Sequence, residues 1–323
     1  MTTLKPGFLA DWPAWATRAA LGWSLLYAAG AALAAATGPA YGYALLGKGT
    51  GPGFEAAAAG LYGAAAVLAY ALLRGPAGRG RTAGAWAVAG LCVTSGFAFL
   101  LSPVWLLATF LSRGQDPMDW AAWANQGAAV LGAALWGCAA LAGRRARLGS
   151  CAYCGGRAAA VPGEAGRAGL VAVAALVPYT ALKTAWALGL TFGYTGGGRP
   201  GADPRYTSDA GLWLYDHGVD VTAVLAVLGM LLALALTRPW GRRLPRPLLL
   251  GLGWAGAGAL APFGVLLAVL GVLAWTGVTE AGLAGHAPWV VVVAYGGFSL
   301  FGLALARAAL VHQRATRRAC GRC

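Results

Sequence analysis

One lysine interrupts an otherwise apolar stretch, residues 168–193, and it is the first residue of this sequence that suggests chemistry. The stretch AGLVAVAALVPYTALKTAWALGLTFG is long enough to cross a bilayer, which takes roughly 20 residues, and Lys183 falls near its middle. An ammonium group at the centre of a membrane helix costs about 2.5–3.5 kcal/mol even on translocon-insertion scales. Lys183 therefore needs a carboxylate partner, a water-filled cavity or a function.

Candidate partners for Lys183 lie in the next apolar stretch, which opens with Asp216, His217 and Asp220. Asp216 and Asp220 are four residues apart, so we predict that they share one face of a helix. We predict a buried ion pair between Lys183 and one of these two aspartates. Trp186, three residues after Lys183, lies deep enough either to stack on a ligand or to pack between helices.

Two interpretations of this group stay open at the level of the sequence. In the functional one, Lys183, Asp216, His217 and Asp220 form a substrate site or a proton relay, because ionisable groups inside membranes are functional by default. In the structural one, an ion pair only fixes the helix register, and Asp216 and His217 lie at the water interface. A metal site on Asp216, His217 and Asp220 is weaker, because no third strong ligand is evident.

Two CxxC pairs form the second chemical motif, Cys151 with Cys154 and Cys320 with Cys323. If the pairs meet, their four thiolates fit a structural zinc site with Zn–S bonds of about 2.3 Å. A redox dithiol is the rival interpretation, and two solvated turns that never touch are the third. Cys92 and Cys138 are predicted to be packing residues.

The composition places the chain among multi-pass membrane proteins. It is 59% hydrophobic and only 11% charged over 323 residues, whereas soluble domains have about 25% charged residues. Its 51 glycines suit helices that pack backbone to backbone in a membrane. Arginine greatly outnumbers lysine in an Ala- and Gly-rich chain, which suggests a GC-rich bacterial genome.

Eight transmembrane spans are predicted from the apolar stretches. They are residues 19–37, 54–73, 83–112, 119–143, 168–193, 212–237, 247–276 and 287–312. With the N-terminus in the cytoplasm, most of the 24 basic residues fall in the inner segments, as the positive-inside rule requires. Both termini are then cytoplasmic, residues 1–18 form a short cytoplasmic leader, and the net charge of +14 reflects topology rather than nucleic-acid binding.

An internal duplication is predicted, with four-helix repeats at 19–157 and 158–323, each of which includes a CxxC tail. Glu55 opens the second span as Asp216 opens the sixth, and Pro103 and Pro262 interrupt the third and seventh spans. The two repeats contain four spans each, so they have the same orientation and should be related by an axis along the membrane normal. Glu55 therefore joins the candidate relay residues. The predicted fold class is all-α, with eight transmembrane helices in two parallel repeats.

A resemblance adds little to this reading. The segment PYTALKTAWALG (178–189), together with the arginine run and CxxCG of Cys151–Gly155, resembles multi-span integral membrane proteins of actinobacteria. The resemblance covers the fifth span and the cytoplasmic tails. It implies a bacterial inner-membrane protein and no particular activity.

The leading prediction is a small-solute or proton-linked transporter with its polar centre at Lys183 and the outer end of the sixth span. The alternative is a non-transporting membrane subunit whose cytoplasmic four-cysteine site binds zinc, or works as a redox dithiol, and docks a protein partner. A membrane enzyme comes third, because the sequence shows no Ser/His/Asp set and no phosphate-binding glycine loop.

Overall fold

The computed structural model describes residues 11–38, 52–75, 78–111, 120–156, 164–202, 208–279 and 285–316. Within these ranges the chain is helical, and the single β-type pairing is an isolated bridge between Tyr194 and His286. The helices are α1 (Trp12–Thr37), α2 (Pro52–Arg74), α3 (Arg79–Leu111), α4 (Trp120–Arg147), α5 (Glu164–Ala187), α6 (Asp209–Asp216), α7 (Val221–Thr237), α8 (Arg246–Trp275), α9 (Pro288–Val290) and α10 (Gly297–Ala315). A 3₁₀ turn, Pro239–Arg243, precedes α8, and a π-helical segment, Val291–Tyr295, joins α9 to α10.

The helices confirm a multi-pass membrane protein. Among the described residues, seven helices are long and apolar enough to cross a membrane, with α9, the π-helical segment and α10 forming one span, Pro288–Ala315. The pair α6 and α7 passes the same test when taken together, although the two helices are bent by 89°. The predicted arrangement as two parallel four-helix repeats stays a prediction.

The sixth predicted span, residues 212–237, is not one helix, and here the sequence-based prediction was wrong. His217 caps the end of α6, Gly218 has a left-handed φ of 79°, and Asp220 caps the start of α7. A left-handed residue is incompatible with a continuing α-helix and is adopted most easily by glycine. Asp216 and Asp220 therefore lie on opposite sides of a break and do not share a helix face.

The fifth span also ends earlier than predicted, at Ala187 rather than residue 193. Gly189 has a φ of 92°, and the amide of Leu190 donates to the carbonyl of Ala185 at 3.0 Å, so the chain leaves the helix in a glycine-capped turn. Lys183 consequently lies in the last two turns of α5. Its predicted position near the middle of a span was wrong.

The chain divides into two compact units. The first unit comprises residues 1–99, 118–158 and 318–323, and the second comprises 100–117 and 159–317. The second unit therefore takes the end of α3 in addition to α5 through α10.

The first unit packs around aromatic side chains of α1 and α2. The rings of Trp23 and Tyr27 stack at 4.7 Å, and Tyr62 meets Tyr27 edge to face at 4.6 Å. The indole of Trp23 donates to the carbonyl of Ala128 at 2.9 Å. Gly132 in α4 makes room for this ring, because a Cβ there would lie 2.3 Å from a Trp23 ring carbon.

The second unit has its core between α5, α7, α8 and α10. Leu176, Phe301 and Leu305 are almost completely buried there, and the ring of Tyr179 packs against Phe298 at 4.7 Å. Close approaches at glycine, such as Gly297 against the carbonyl of Ala175, bring α10 against α5. This contact sets α5 so that one of its faces, which carries Tyr179, Lys183 and Trp186, points into the unit.

Candidate polar site at Lys183 and Asp220

The predicted ion pair of Lys183 is present, and its partner is Asp220. Lys183 Nζ lies 3.3 Å from Asp220 Oδ2, and the two side chains are 9% and 4% exposed. Lys183 is near the C-terminal end of α5 and Asp220 is at the N-terminal end of α7. The helix dipoles stabilise both charges, since a cation is favoured at a helix C-terminus and an anion at an N-terminus.

The two oxygens of Asp220 have different partners. Oδ1 accepts hydrogen bonds from the backbone amides of Thr222 (2.7 Å) and Ala223 (3.0 Å) and from the Thr222 hydroxyl (2.5 Å). Oδ2 faces Lys183. Asp220 therefore caps α7 and holds the ammonium group of α5 with the same carboxylate.

A hydroxyl chain continues inward from this carboxylate. Tyr179, one helical turn before Lys183 on α5, donates its hydroxyl proton to Thr222 Oγ1 at 2.8 Å, and Thr222 donates in turn to Asp220. The order of donors is thus Tyr179, Thr222, Asp220. A line of hydroxyl groups that ends on a carboxylate can pass a proton by successive transfers along its hydrogen bonds.

Aromatic side chains surround the ammonium group on its other side. Lys183 Nζ lies 5.6 Å from the ring centroid of Trp186, within the range of a cation–π interaction. The rings of Trp186 and His286 are 5.1 Å apart, and Tyr295 Oη lies 3.1 Å from His286 Nε2. Tyr295 also meets Tyr179 edge to face at 5.4 Å. The aromatic side chains therefore also contact Tyr179, which is the first donor of the hydroxyl chain.

A loop, residues 194–202, covers the ion pair; we call it the covering loop. Its start is joined to the segment before α9, because Thr195 N donates to Gly285 O at 2.7 Å and Ala287 N donates to Gly193 O at 2.9 Å. Its end is held by Tyr215, whose hydroxyl donates to the carbonyl of Pro200. Both ends of the loop are thereby tied to other elements of the second unit.

Gly201 is the point of the covering loop nearest to the charges. A Cβ at this position would lie 3.0 Å from Lys183 Nζ and 3.6 Å from Asp220 Oδ2. Its φ of 76° is in the left-handed region, which glycine adopts without strain. The loop thus reaches the ion pair with backbone rather than with a side chain, and it closes the pair off from the surface.

The other predicted relay residues have surroundings of their own. Asp216 Oδ1 lies 2.5 Å from Arg199 NH1 in a pair that is 57% and 60% exposed, and the exposed His217 contacts the carbonyl of Trp213 through Nδ1. Glu55 belongs to the first unit, where its side chain is 1% exposed in the first turn of α2. Of the predicted set, the structure brings Lys183, Asp220 and Trp186 together.

Sequence reasoning missed Tyr179, Thr222, His286 and Tyr295. Two of these residues, Tyr179 and Thr222, could have been identified from their local sequence. Tyr179 precedes Lys183 by four residues, the spacing of one helix face, and Asp-x-Thr at 220–222 is typical of a helix N-terminus. His286 and Tyr295 come from a distant part of the chain, and nothing in their local sequence relates them to Lys183.

Metal binding finds no further support near Asp216. Within the described ranges, no three His, Cys, Asp or Glu side chains come close enough to hold a metal ion. Cys320 and Cys323 lie outside the described residues, so the four-cysteine zinc site stays a prediction.

The first CxxC pair, Cys151 and Cys154, lies in a hydrogen-bonded turn after α4. Gly155 N donates to Cys151 O at 2.7 Å, and Arg145 NH1 donates to the carbonyls of Ala152 (2.8 Å) and Tyr153 (2.9 Å). Arg145 also lies over the ring of Trp12, 5.2 Å from its centroid. Cys151 is part of a disulfide bond, and a sulfur in a disulfide is not a thiolate that can bind zinc.

Comparison with known proteins finds no matching family model, no similar curated protein and no similar solved structure.

Proposed function

We propose that this multi-pass membrane protein is a small-solute or proton-linked transporter whose polar centre is the Lys183–Asp220 pair. The observation that supports it is a buried ion pair located at the break between α6 and α7. Discontinuous helices whose half-helix ends face an ion or a substrate are a common construction of transport sites. Buried ionisable groups in membrane helices are rare and mark such pathways.

The chemistry of the site suits a proton more directly than a large solute. A proton that reaches the Asp220 carboxylate neutralises it and removes its attraction for the Lys183 ammonium group. The hydroxyl chain is oriented to deliver this proton to Oδ1, because Tyr179 Oη donates to Thr222 Oγ1 and Thr222 Oγ1 donates to Asp220 Oδ1. The carboxyl group then releases a proton from its other oxygen, Oδ2, which lies beside Lys183 and Gly201. An anionic group of a solute can pair with the released ammonium group, which would couple the solute to the proton.

Access to the site requires the covering loop to move. Gly201 lies directly over the charges, and the contacts that hold the loop, such as Tyr215 to Pro200, are hydrogen bonds to backbone. By the predicted topology this loop is on the outer side of the membrane. We therefore assign it the role of an outer gate in this proposal.

Proton flux into liposomes tests the proposal. The purified chain is reconstituted in vesicles loaded with a pH-sensitive dye, and a potassium diffusion potential is imposed with valinomycin. We expect flux in the wild type and a loss of at least tenfold in Asp220→Asn, because one neutralised carboxylate removes the proton acceptor while asparagine still caps α7. Lys183→Met is expected to show the same loss.

Asp216→Asn is the matched control, since Asp216 lies close in sequence but forms an exposed ion pair. Its flux is expected to equal that of the wild type. If Asp220→Asn and Lys183→Met fold and conduct as the wild type does, the pair is purely structural and the proposed proton pathway is wrong. Absence of flux in the wild type itself would contradict the proton-linked form of the proposal.

The cysteine turn favours a second candidate function, a non-transporting membrane subunit with a redox dithiol that docks a protein partner. Arg145 donates hydrogen bonds to two backbone carbonyls of this turn and so holds its conformation. A solvated turn that only connects two helices would not need this side-chain support. Cys151 is in a disulfide whose partner is not Cys154, so a redox pair would join Cys151 to a cysteine outside its own CxxC motif.

Thiol labelling and metal analysis separate these two interpretations. For the redox site, we expect Cys151 to resist maleimide in the protein as purified without reductant and to become reactive after reduction. Cys151→Ser is expected to abolish the extra labelling, whereas Cys92→Ser, which removes a buried thiol, is expected to leave it unchanged. A zinc content of one per chain that disappears in Cys323→Ser would instead support the four-cysteine metal site.

A further inference from the structure

His286 is a titratable side chain at the point where the covering loop is tied down. It forms the isolated antiparallel bridge to the start of this loop, and the residues on either side of it carry the backbone hydrogen bonds of the bridge. Thr195 N donates to Gly285 O at 2.7 Å, and Ala287 N donates to Gly193 O at 2.9 Å. The attachment of the loop therefore depends on the position of His286.

The imidazole ring packs against three aromatic side chains from three different elements. The ring centroids of Trp186 in α5, Tyr194 in the covering loop and Tyr295 in the π-helical segment lie 5.1, 5.9 and 5.3 Å from that of His286. Nε2 lies 3.1 Å from Tyr295 Oη, where a neutral imidazole can accept the hydroxyl proton. His286 is half-buried, so a proton from solution can reach it while the loop is closed.

Lys183 lies against the same indole ring as His286. Its Nζ is 5.6 Å from the ring centroid and the imidazole centroid is 5.1 Å from it, so the two groups are separated by at most the sum of these distances, about 11 Å. On the three elements that pack against His286, the titratable and charged groups facing it are thus Tyr194, Tyr295 and, across the indole ring, the Lys183 ammonium group with its carboxylate partner.

A proton on His286 changes the balance of charge beneath the covering loop. Lys183 and Asp220 neutralise each other, so these two groups and a protonated His286 together carry one net positive charge. Two cations in a site that excludes most water repel each other, and the repulsion falls when water enters. A protonated imidazole also donates from both nitrogens, so the hydrogen bond with Tyr295 must reverse its direction. Both effects favour an open loop.

We propose that His286 is the pH sensor of the covering loop, which a neutral imidazole holds closed over the ion pair and a protonated one releases. Histidine changes its charge between pH 5 and 8, and histidine protonation switches interfaces in other pH sensors. The loop therefore opens as the outer pH falls and closes as it rises. This inference rests on the proposed function, in which the loop is the outer gate, and it admits the solute to Lys183 when protons are abundant outside.

Hydrogen exchange of the full chain in lipid nanodiscs, read by mass spectrometry at about pH 5.5 and about pH 7.5, tests the sensor across the range in which histidine titrates. Rates are corrected for the intrinsic pH dependence of amide exchange. In the wild type, we expect the amides of residues 194–196 and 285–287 to exchange about tenfold faster at the lower pH, the order expected for two like charges at this separation and an effective dielectric constant of about 20. Amides in the middle of α8 and α10 are expected to keep their rates.

Two substitutions of His286 give opposite expectations. His286→Gln keeps a hydrogen-bonding side chain without a titratable ring and is expected to leave the loop protected at both pH values. His286→Arg carries a fixed positive charge and is expected to expose the loop at both. His217→Gln is the matched control, because His217 is an exposed histidine that contacts the carbonyl of Trp213; its response is expected to equal that of the wild type. Thermal unfolding at both pH values checks folding, and His286→Gln decides the test if His286→Arg does not fold.

Equal exchange of the loop amides at the two pH values in the wild type would overturn the assignment, as would a full pH response in His286→Gln. A response that disappears in His217→Gln would move the sensor to that residue. The readout does not depend on proton flux. A loop that opens in acid in a protein that carries no protons would contradict the proposed function and leave the sensor standing, whereas flux that requires Asp220 without a pH response of the loop would contradict the sensor alone.

Discussion

Replacing Asp220 by alanine is expected to reduce the free energy of unfolding by about 3–5 kcal/mol, the usual cost of removing one partner of a buried ion pair. The substitution leaves the Lys183 ammonium group buried without its carboxylate, and it also exposes the first amides of α7, which Oδ1 now caps. Unfolding in mixed detergent–SDS micelles, followed by circular dichroism, measures the change.

Two further variants separate the charge from the cap. Asp220→Asn keeps an acceptor for the helix N-terminus and is expected to be less damaging than Asp220→Ala. Lys183→Met combined with Asp220→Asn removes both charges and is expected to be more stable than Asp220→Asn alone, because no charge is then left buried without a partner.

Asp216→Ala gives the matched control for this series. Its ion pair with Arg199 is more than half exposed, and such pairs contribute about 0–1 kcal/mol. Equal losses of stability in Asp216→Ala and Asp220→Ala would show that the burial of the Lys183 pair has no energetic consequence.

The spans and the ion pair could be predicted from the sequence because both follow from strong local signals. Apolar stretches of membrane length locate helices directly, and a lysine inside one of them requires a partner. The chain offers few carboxylates near that span, so Asp216 and Asp220 were the natural candidates. The choice between them depended on the break at Gly218, which the hydropathy of the stretch does not show.

The break between α6 and α7 was missed although its residues carry a local signal. His217, Gly218 and Asp220 are a C-cap, a left-handed glycine and an N-cap in order, but in a membrane span glycine is also common in unbroken helices. The early end of α5 at Gly189 was missed for the same reason. In both places the apolar character continues past the helix end, and hydropathy alone cannot separate a helix from an apolar turn.

The rest of the site could not be predicted because its contacts join distant parts of the chain. The covering loop reaches Lys183 only because Thr195 and Gly193 pair with the segment before α9, and His286 reaches Trp186 through the same pairing. Backbone hydrogen bonds of this kind leave no residue-type pattern. The Lys183–Asp220 pair could therefore be predicted from the sequence, whereas the covering loop and His286 were identified only in the structure.

The crossing of α8 and α10 is the second place where a single substitution is expected to have a large effect. Gly264 lies against the backbone of α10, and a Cβ there would be 2.1 Å from Ser299 N and 2.7 Å from Phe298 C. Gly302 faces α8 in the same way, and a Cβ there would lie 2.4 Å from Ala261 N. Small residues on both helices allow the two backbones to pack in direct contact, as in many membrane helix pairs.

Gly264→Ala is expected to cost about 3 kcal/mol of unfolding free energy, the upper end for overpacked sites. The neighbouring atoms belong to backbone and cannot rotate away as a side chain can, so α8 and α10 must separate to admit the methyl group. Gly251→Ala in the same helix is the matched control, because a Cβ at Gly251 meets nothing within 4 Å. The same micelle unfolding assay compares the two variants, and a loss in Gly264→Ala no greater than that in Gly251→Ala would mean that α8 and α10 are not in backbone contact at this crossing.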